Sequence, residues 1–182
     1  MSAVDWETTI TSLPQFDSLR AALEALPICL EKQPSAVELL DKLYIDLARG
    51  QRSLQDAMAA IVGNPAALLM VEISGDTPSE VADRVEKLHR QLRNVPGLTA
   101  SVIAIGPKLR NPLWNLRGAA VPLLYSLPGE GKPITFCEDT AISPEKLPEF
   151  ADRFRAIFHK HTGNQGSAAI DWNATIDPRP IL

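Results

Sequence analysis

The sequence has only 2 cysteines, 10 glycines and no block of lysines or arginines. Each scarcity closes off a class of function. Cys29 and Cys137 stand far apart and form no CxxC or other metal-ligand spacing, so each is expected to be a small apolar core residue. The glycines are not clustered, which leaves no loop to cradle a pyrophosphate with backbone N–H groups ahead of a helix. A net charge of -4 and a pI near 5.4 supply no basic field for nucleic acid or for an anionic membrane surface. No apolar run reaches the ~18 residues that span a bilayer, and the opening MSAVDWETT has neither the charged nor the apolar region of a secretory signal. The expected location is therefore cytoplasmic, with no nucleic-acid partner and no membrane span.

What is present is 182 residues of ordinary domain size. Residues 1–15 are polar, carry Pro14 and lack a sustained apolar period, so they read as a lead-in or linker remnant. Leu19, Ala22, Leu23 and Leu26 then repeat at helical spacing behind Asp17 as N-cap, with Pro27 as a stop. A second helix is expected from Ser35 to Gly50, with Val37, Leu40, Leu43, Tyr44 and Leu47 on one face, and a short third one over 53–62. The apolar run 67–74 predicts a central strand, and Thr77-Pro78-Ser79-Glu80 predicts a capping box opening a helix whose inner face is Val81, Val85, Leu88 and Leu92. A strand follows over 98–105, then a helical segment over 109–127 kinked or divided by Pro122, a Pro/Gly loop, the strand ITFCE and a last helix opening at Ser143. Leu147, Phe150, Phe154, Ile157 and Phe158 form that helix's apolar stripe, expected to pack in the core. His159 and His161 are two apart and would point away from each other, which disfavours a metal pair there. Strand, helix and strand recurring in this order predict an α+β, ferredoxin-like two-layer sandwich with additional N-terminal helices.

One charge needs an explanation. Arg117 lies among Trp114, Leu116, Val121 and Leu123, and a guanidinium removed from water costs several kcal/mol unless a carboxylate meets it. Past the loop, Glu138 and Asp139 close an apolar strand. They or another internal acid would hold a structural arginine. A ligand carboxylate is the other solution, since the planar fork of arginine can donate two parallel hydrogen bonds to one carboxylate.

The stretch NPLWNLRGAAVPLLYSLPGEGKPITFCEDTAISPEKLPEF, residues 111–150, resembles the C-terminal substrate or cap domain of the FAD-linked oxidases, which include D-lactate, glycolate and D-2-hydroxyglutarate dehydrogenases. The likeness covers about residues 16–162, and EDTAISPEKLPEF is its most specific part. The resemblance implies the same fold, a FAD cofactor bound mainly by a domain missing from this chain, and a role for Arg117 in binding the substrate carboxylate. Trp114, Glu138 and Asp139 become candidate site or interface residues. The implied partners are a flavin-binding domain or subunit and a small 2-hydroxy acid. Residues 16–163 would form the domain and 164–182 a divergent tail. There the family carries two histidines that bind a divalent metal or the substrate, whereas counting back from Arg179 places Asp177 at the second and Ile170 or Asp171 at the first. No metal is therefore expected, and the chain alone is expected to be colourless and inactive. The alternative is a non-catalytic ligand-binding or assembly module that kept the fold and lost the site.

Overall fold

Residues 9–15, expected to belong to the lead-in, join Phe16 in β1 (Thr9–Phe16), an internal strand whose residues are all buried. The structure, a computed structural model, describes residues 8–126, 140–162 and 174–176. The polar composition of β1 hides its place because its side chains find partners in other elements. Thr9 bonds the Ser74 hydroxyl at 3.1 Å, Ser12 bonds His89 Nε2 at 2.9 Å, and the Gln15 amide donates to the Ala60 carbonyl at 2.9 Å while accepting from the Val62 N–H at 2.8 Å. A buried polar group that is paired carries little penalty, so apolar alternation is not required. Pro14 is accommodated by a gap in the pairing with β3, Ala67–Ser74, which runs from Thr9 to Ser12 and resumes at Gln15.

The second correction is at 36–50. Ala36–Asp41 is a strand, β2, and only Lys42–Arg49 is helical. Both faces of β2 are covered, with Val37 and Leu39 in one core cluster and Leu40 in the other, so its apolar residues mimic helical spacing. The Asp41 carboxylate accepts the Tyr44 N–H at 3.0 Å and starts helix α3, which Gly50 closes as expected. Ahead of β2, α1 (Leu19–Glu24) is capped by Ser18 rather than Asp17, and the helical path continues past Pro27 as α2 (Leu26–Leu30), whose first turn has no need of the proline N–H.

After α4 (Gln55–Met58) and β3 comes α5 (Pro78–Leu92). Thr77 caps its Glu80 N–H at 3.2 Å, while the Glu80 carboxylate reaches back to the N–H of Asp76 rather than of Thr77. β4 (Leu98–Ile105) and β5 (Ala174–Ile176) complete a sheet in the order β4-β1-β3-β2-β5, antiparallel throughout. β1 to β4 with their helices follow the βαββαβ path of a ferredoxin-like fold. β5, within the segment expected as a divergent tail, pairs with β2 at Val37, Glu38 and Leu39.

The class is α+β as expected, and the additional helices cover the second face of the sheet. One core packs α1, α2 and α5 on Val37, Leu39, Leu69, Val71 and Ile73. The other packs α3, α4, α6 (Pro107–Gly118) and α7 (Ala120–Tyr125) on Leu13, Leu40, Leu68 and Met70. Each such side chain contributes about 1.5–3 kcal/mol on full burial. The helical segment at 109–127 is divided, with the break at Ala119, which puts Pro122 in the first turn of α7 where an N–H has no helical partner. The stripe of α8 (Leu147–Thr162) is less buried than expected. Ala151 is buried, Phe150, Phe154 and Phe158 are half-buried with successive centroids 5.8 and 6.1 Å apart, and Ile157 is exposed.

Candidate functional site

Arg110, Trp114 and Arg117 stand at i, i+4 and i+7 on α6 and so share one face of it. That face lies over the second face of the sheet, where β1 presents Thr11, β3 presents Glu72 and β2 presents Glu38. The registers Thr11↔Glu72 and Glu38↔Met70 align these residues, because Met70 and Glu72 point to the same side of β3.

Glu72 is the meeting point of the first set. Its Oε2 accepts from Arg110 Nη2 and, at 3.0 Å, from the Trp114 indole N–H, while its Oε1 accepts from the Ser35 hydroxyl at 3.3 Å. Arg110 Nε donates to Thr11 Oγ1 at 3.3 Å, and Arg110 is only 2% exposed. Burying such a pair costs several kcal/mol per ion, which the bonds from Arg110 to Thr11 and from Trp114 and Ser35 to Glu72 offset in part. The second set is more open. Arg117 Nε donates to Glu38 Oε2 at 2.7 Å, with the Glu38 side chain 9% exposed and that of Arg117 29%. Between the two sets, the Tyr44 hydroxyl of α3 donates to the Leu116 carbonyl in the last turn of α6, beside the Ala119 N–H that the same carbonyl accepts at 3.1 Å.

Among the described residues, the carboxylate seen to meet Arg117 is thus Glu38. Glu138 and Asp139 lie outside the described residues, as does Cys137. Trp114 joins the arrangement through its indole N–H and packs against the second core. Sequence reasoning missed Arg110, Glu38 and Glu72. The available signals were the i, i+4, i+7 repeat of donors in α6 and a lone acid inside each of two apolar runs, AVELL and ALLMVEIS.

Cys29 is fully buried, and desolvation, partly opposed by the Lys32 charge, pushes its thiol up to about 12. In a Cys137→Ser background, the folded chain is expected to resist alkylation by iodoacetamide at mildly alkaline pH and to react once urea unfolds it. Rapid labelling of the native chain would contradict this burial.

Among the described residues no group of three or more His, Cys, Asp or Glu could hold a metal ion. Ile170, Asp171 and Asp177 lie outside them. The described glycines with positive φ, Gly63, Gly97 and Gly106, occupy separate turns. Asp17 and Ala21 fill the space beside Gly97, and Pro107, with no N–H, follows Gly106 at the start of α6. The described residues therefore do not form a pyrophosphate cradle. None of their helices is long and apolar enough to cross a membrane.

The family described as FAD linked oxidases, C-terminal domain, matches residues 7–175, a span that includes β1. The chain is 31% identical to a D-2-hydroxyglutarate dehydrogenase of Pantoea ananatis, over 95% of its own length and 19% of that relative's. It is 30% identical to one of Escherichia coli with the same coverage, and 27% identical to one of Pseudomonas putida over 79% of its own length and 15% of the relative's. The chain thus spans about a fifth of the relatives it matches best among these. With residues 7–175 matched along the strands and helices described above, the chain belongs to the C-terminal domain family of FAD-linked oxidases.

Proposed function

We propose that this chain is the substrate-cap portion of a FAD-dependent oxidoreductase acting on small 2-hydroxy acids, with Arg117 binding the substrate carboxylate. The observation that carries the reading is the position of Arg117: anchored through Nε on a buried acid, yet 29% exposed at the end of α6. A guanidinium so placed suits a carboxylate ligand better than the buried Arg110 does. The names of the relatives point to D-2-hydroxyglutarate as the first substrate to try. The family's cofactor is FAD, and the described residues do not fit it on their own, for lack of a cradle. The redox chemistry then belongs to a flavin held by a flavin-binding domain or subunit, and the cap's part is to hold the acid and exclude water. Ile105, Leu109 and Val121, each more than half exposed, offer apolar surface to such a partner. One observation favours the second reading, a binding or assembly module without catalysis: Arg117 pairs with an internal acid, as a structural arginine would.

Arg117→Lys separates the two, because the charge survives while the planar fork is lost. The purified chain is expected to be colourless, and to turn over 2-hydroxy acids only with its flavin partner. Loss of one charged hydrogen bond should weaken D-2-hydroxyglutarate binding and kcat/KM by about 10- to 100-fold, with little change in melting temperature. Unchanged kinetics with a lower melting temperature would leave Arg117 as scaffold.

A further inference from the structure

We infer that Glu38 is a positioning residue for Arg117: it sets the direction of the guanidinium, and it does so separately from whatever holds α6 in place. The inference rests on the substrate reading of Arg117 and adds to it the residue that orients the site. Two carboxylates on adjacent strands divide the work. Glu72 fixes the helix, since it takes Arg110 and Trp114 from the turns before Arg117 and is backed by Ser35. The Tyr44 hydroxyl fixes the helix's last turn through the Leu116 carbonyl. The rotation of α6 about its own axis is thus set without Glu38. What Glu38 touches is the far end of a long side chain, Arg117 Nε at 2.7 Å.

The placement of Glu38 suits that task. Its backbone is held from both sides, opposite Met70 on β3 and Thr175 on β5, so the carboxylate starts from a strand that cannot drift. Its neighbours on the same face of the sheet include Leu40 and Met70, both fully buried and apolar. A carboxylate there is a poor source of stability. Desolvation consumes most of the Coulombic gain, and a pair of apolar residues of similar volume in place of both Glu38 and Arg117 is often as stable or more so. Direction is what an apolar residue could not supply. An arginine side chain free to rotate samples many rotamers, and an acceptor on Nε–H removes most of that freedom before a ligand arrives.

The test uses the full chain, with D-2-hydroxyglutarate as the probe in titration calorimetry and NMR reporting hydrogen exchange at Arg117 Nε–H. Glu38→Leu should lose protection at Nε–H and bind the probe about tenfold more weakly, with a melting temperature lowered less than in Glu72→Ala, because Arg117 keeps its charge without this carboxylate but is 29% exposed. Glu38→Gln, which keeps an acceptor oxygen, should restore both protection and affinity to within about threefold. A lower melting temperature in Glu38→Leu with affinity intact would make Glu38 structural and overturn the inference. Arg117→Lys run in parallel tells the two ideas apart. If it weakens binding and Glu38→Leu does not, positioning alone is wrong. If neither weakens binding, or the unsubstituted chain does not bind the probe saturably, the substrate reading fails and the inference with it.

Discussion

Glu72→Ala is expected to lower folding stability by about 3–5 kcal/mol, because it strands Arg110 as a charge without its carboxylate at 2% exposure. The same substitution removes the acceptor of the Trp114 indole N–H, so two donors lose a partner at once, while the Ser35 hydroxyl keeps the backbone carbonyl of residue 72 at 3.1 Å. Urea unfolding monitored by circular dichroism would measure the loss. Arg110→Met combined with Glu72→Leu should recover most of it, since an apolar pair of similar volume has no charge to desolvate. A loss below about 1 kcal/mol in the single variant would mean that water or another group takes over from the carboxylate, and that Glu72 does not hold α6 to the sheet.

Gly97→Ala is expected to be nearly as damaging, at about 2–5 kcal/mol. The residue has φ +84°, in the left-handed region that costs an L side chain about 1–2 kcal/mol. A Cβ there would lie 2.6 Å from Asp17 Oδ1 and 2.7 Å from the Ala21 Cβ, closer than real contacts allow, and relieving it adds about 1–3 kcal/mol of packing strain. The turn has no easy retreat, because the Gly97 carbonyl also accepts the Asp17 N–H at 2.9 Å. Gly63→Ala is the control. Its φ is +66° but nothing lies within 4 Å of the added carbon, so only the backbone cost should appear. Equal losses in the two variants, read by chemical denaturation, would refute the steric part of the argument.

Both substitutions act on contacts between segments far apart in the chain, and the same distance separates what the sequence by itself determined from what it did not. Where the deciding interaction is local, the residues sufficed. The Thr77 cap and Pro78 set the start of α5, its inner stripe of Val81, Val85, Leu88 and Leu92 is buried, and the apolar run of β3 is a central strand. These signals depend on neighbours within a turn or on alternation along one strand. The stretch 111–150, above all EDTAISPEKLPEF, was likewise legible, enough to place the chain in its family. Only the tertiary structure decided β1 and β2. Thr9, Ser12 and Gln15 are polar in sequence and become core residues because Ser74, His89 and Ala60 meet them across the fold. Val37 and Leu40 fit a helical period as well as they fit a strand covered on both faces, and what selects the strand is pairing with β3 and β5. The partner of Arg117 is the same case. Glu38 lies 79 residues away, and an acid buried at that separation is identified by the sheet that carries it to the arginine, through a contact that no local pattern encodes.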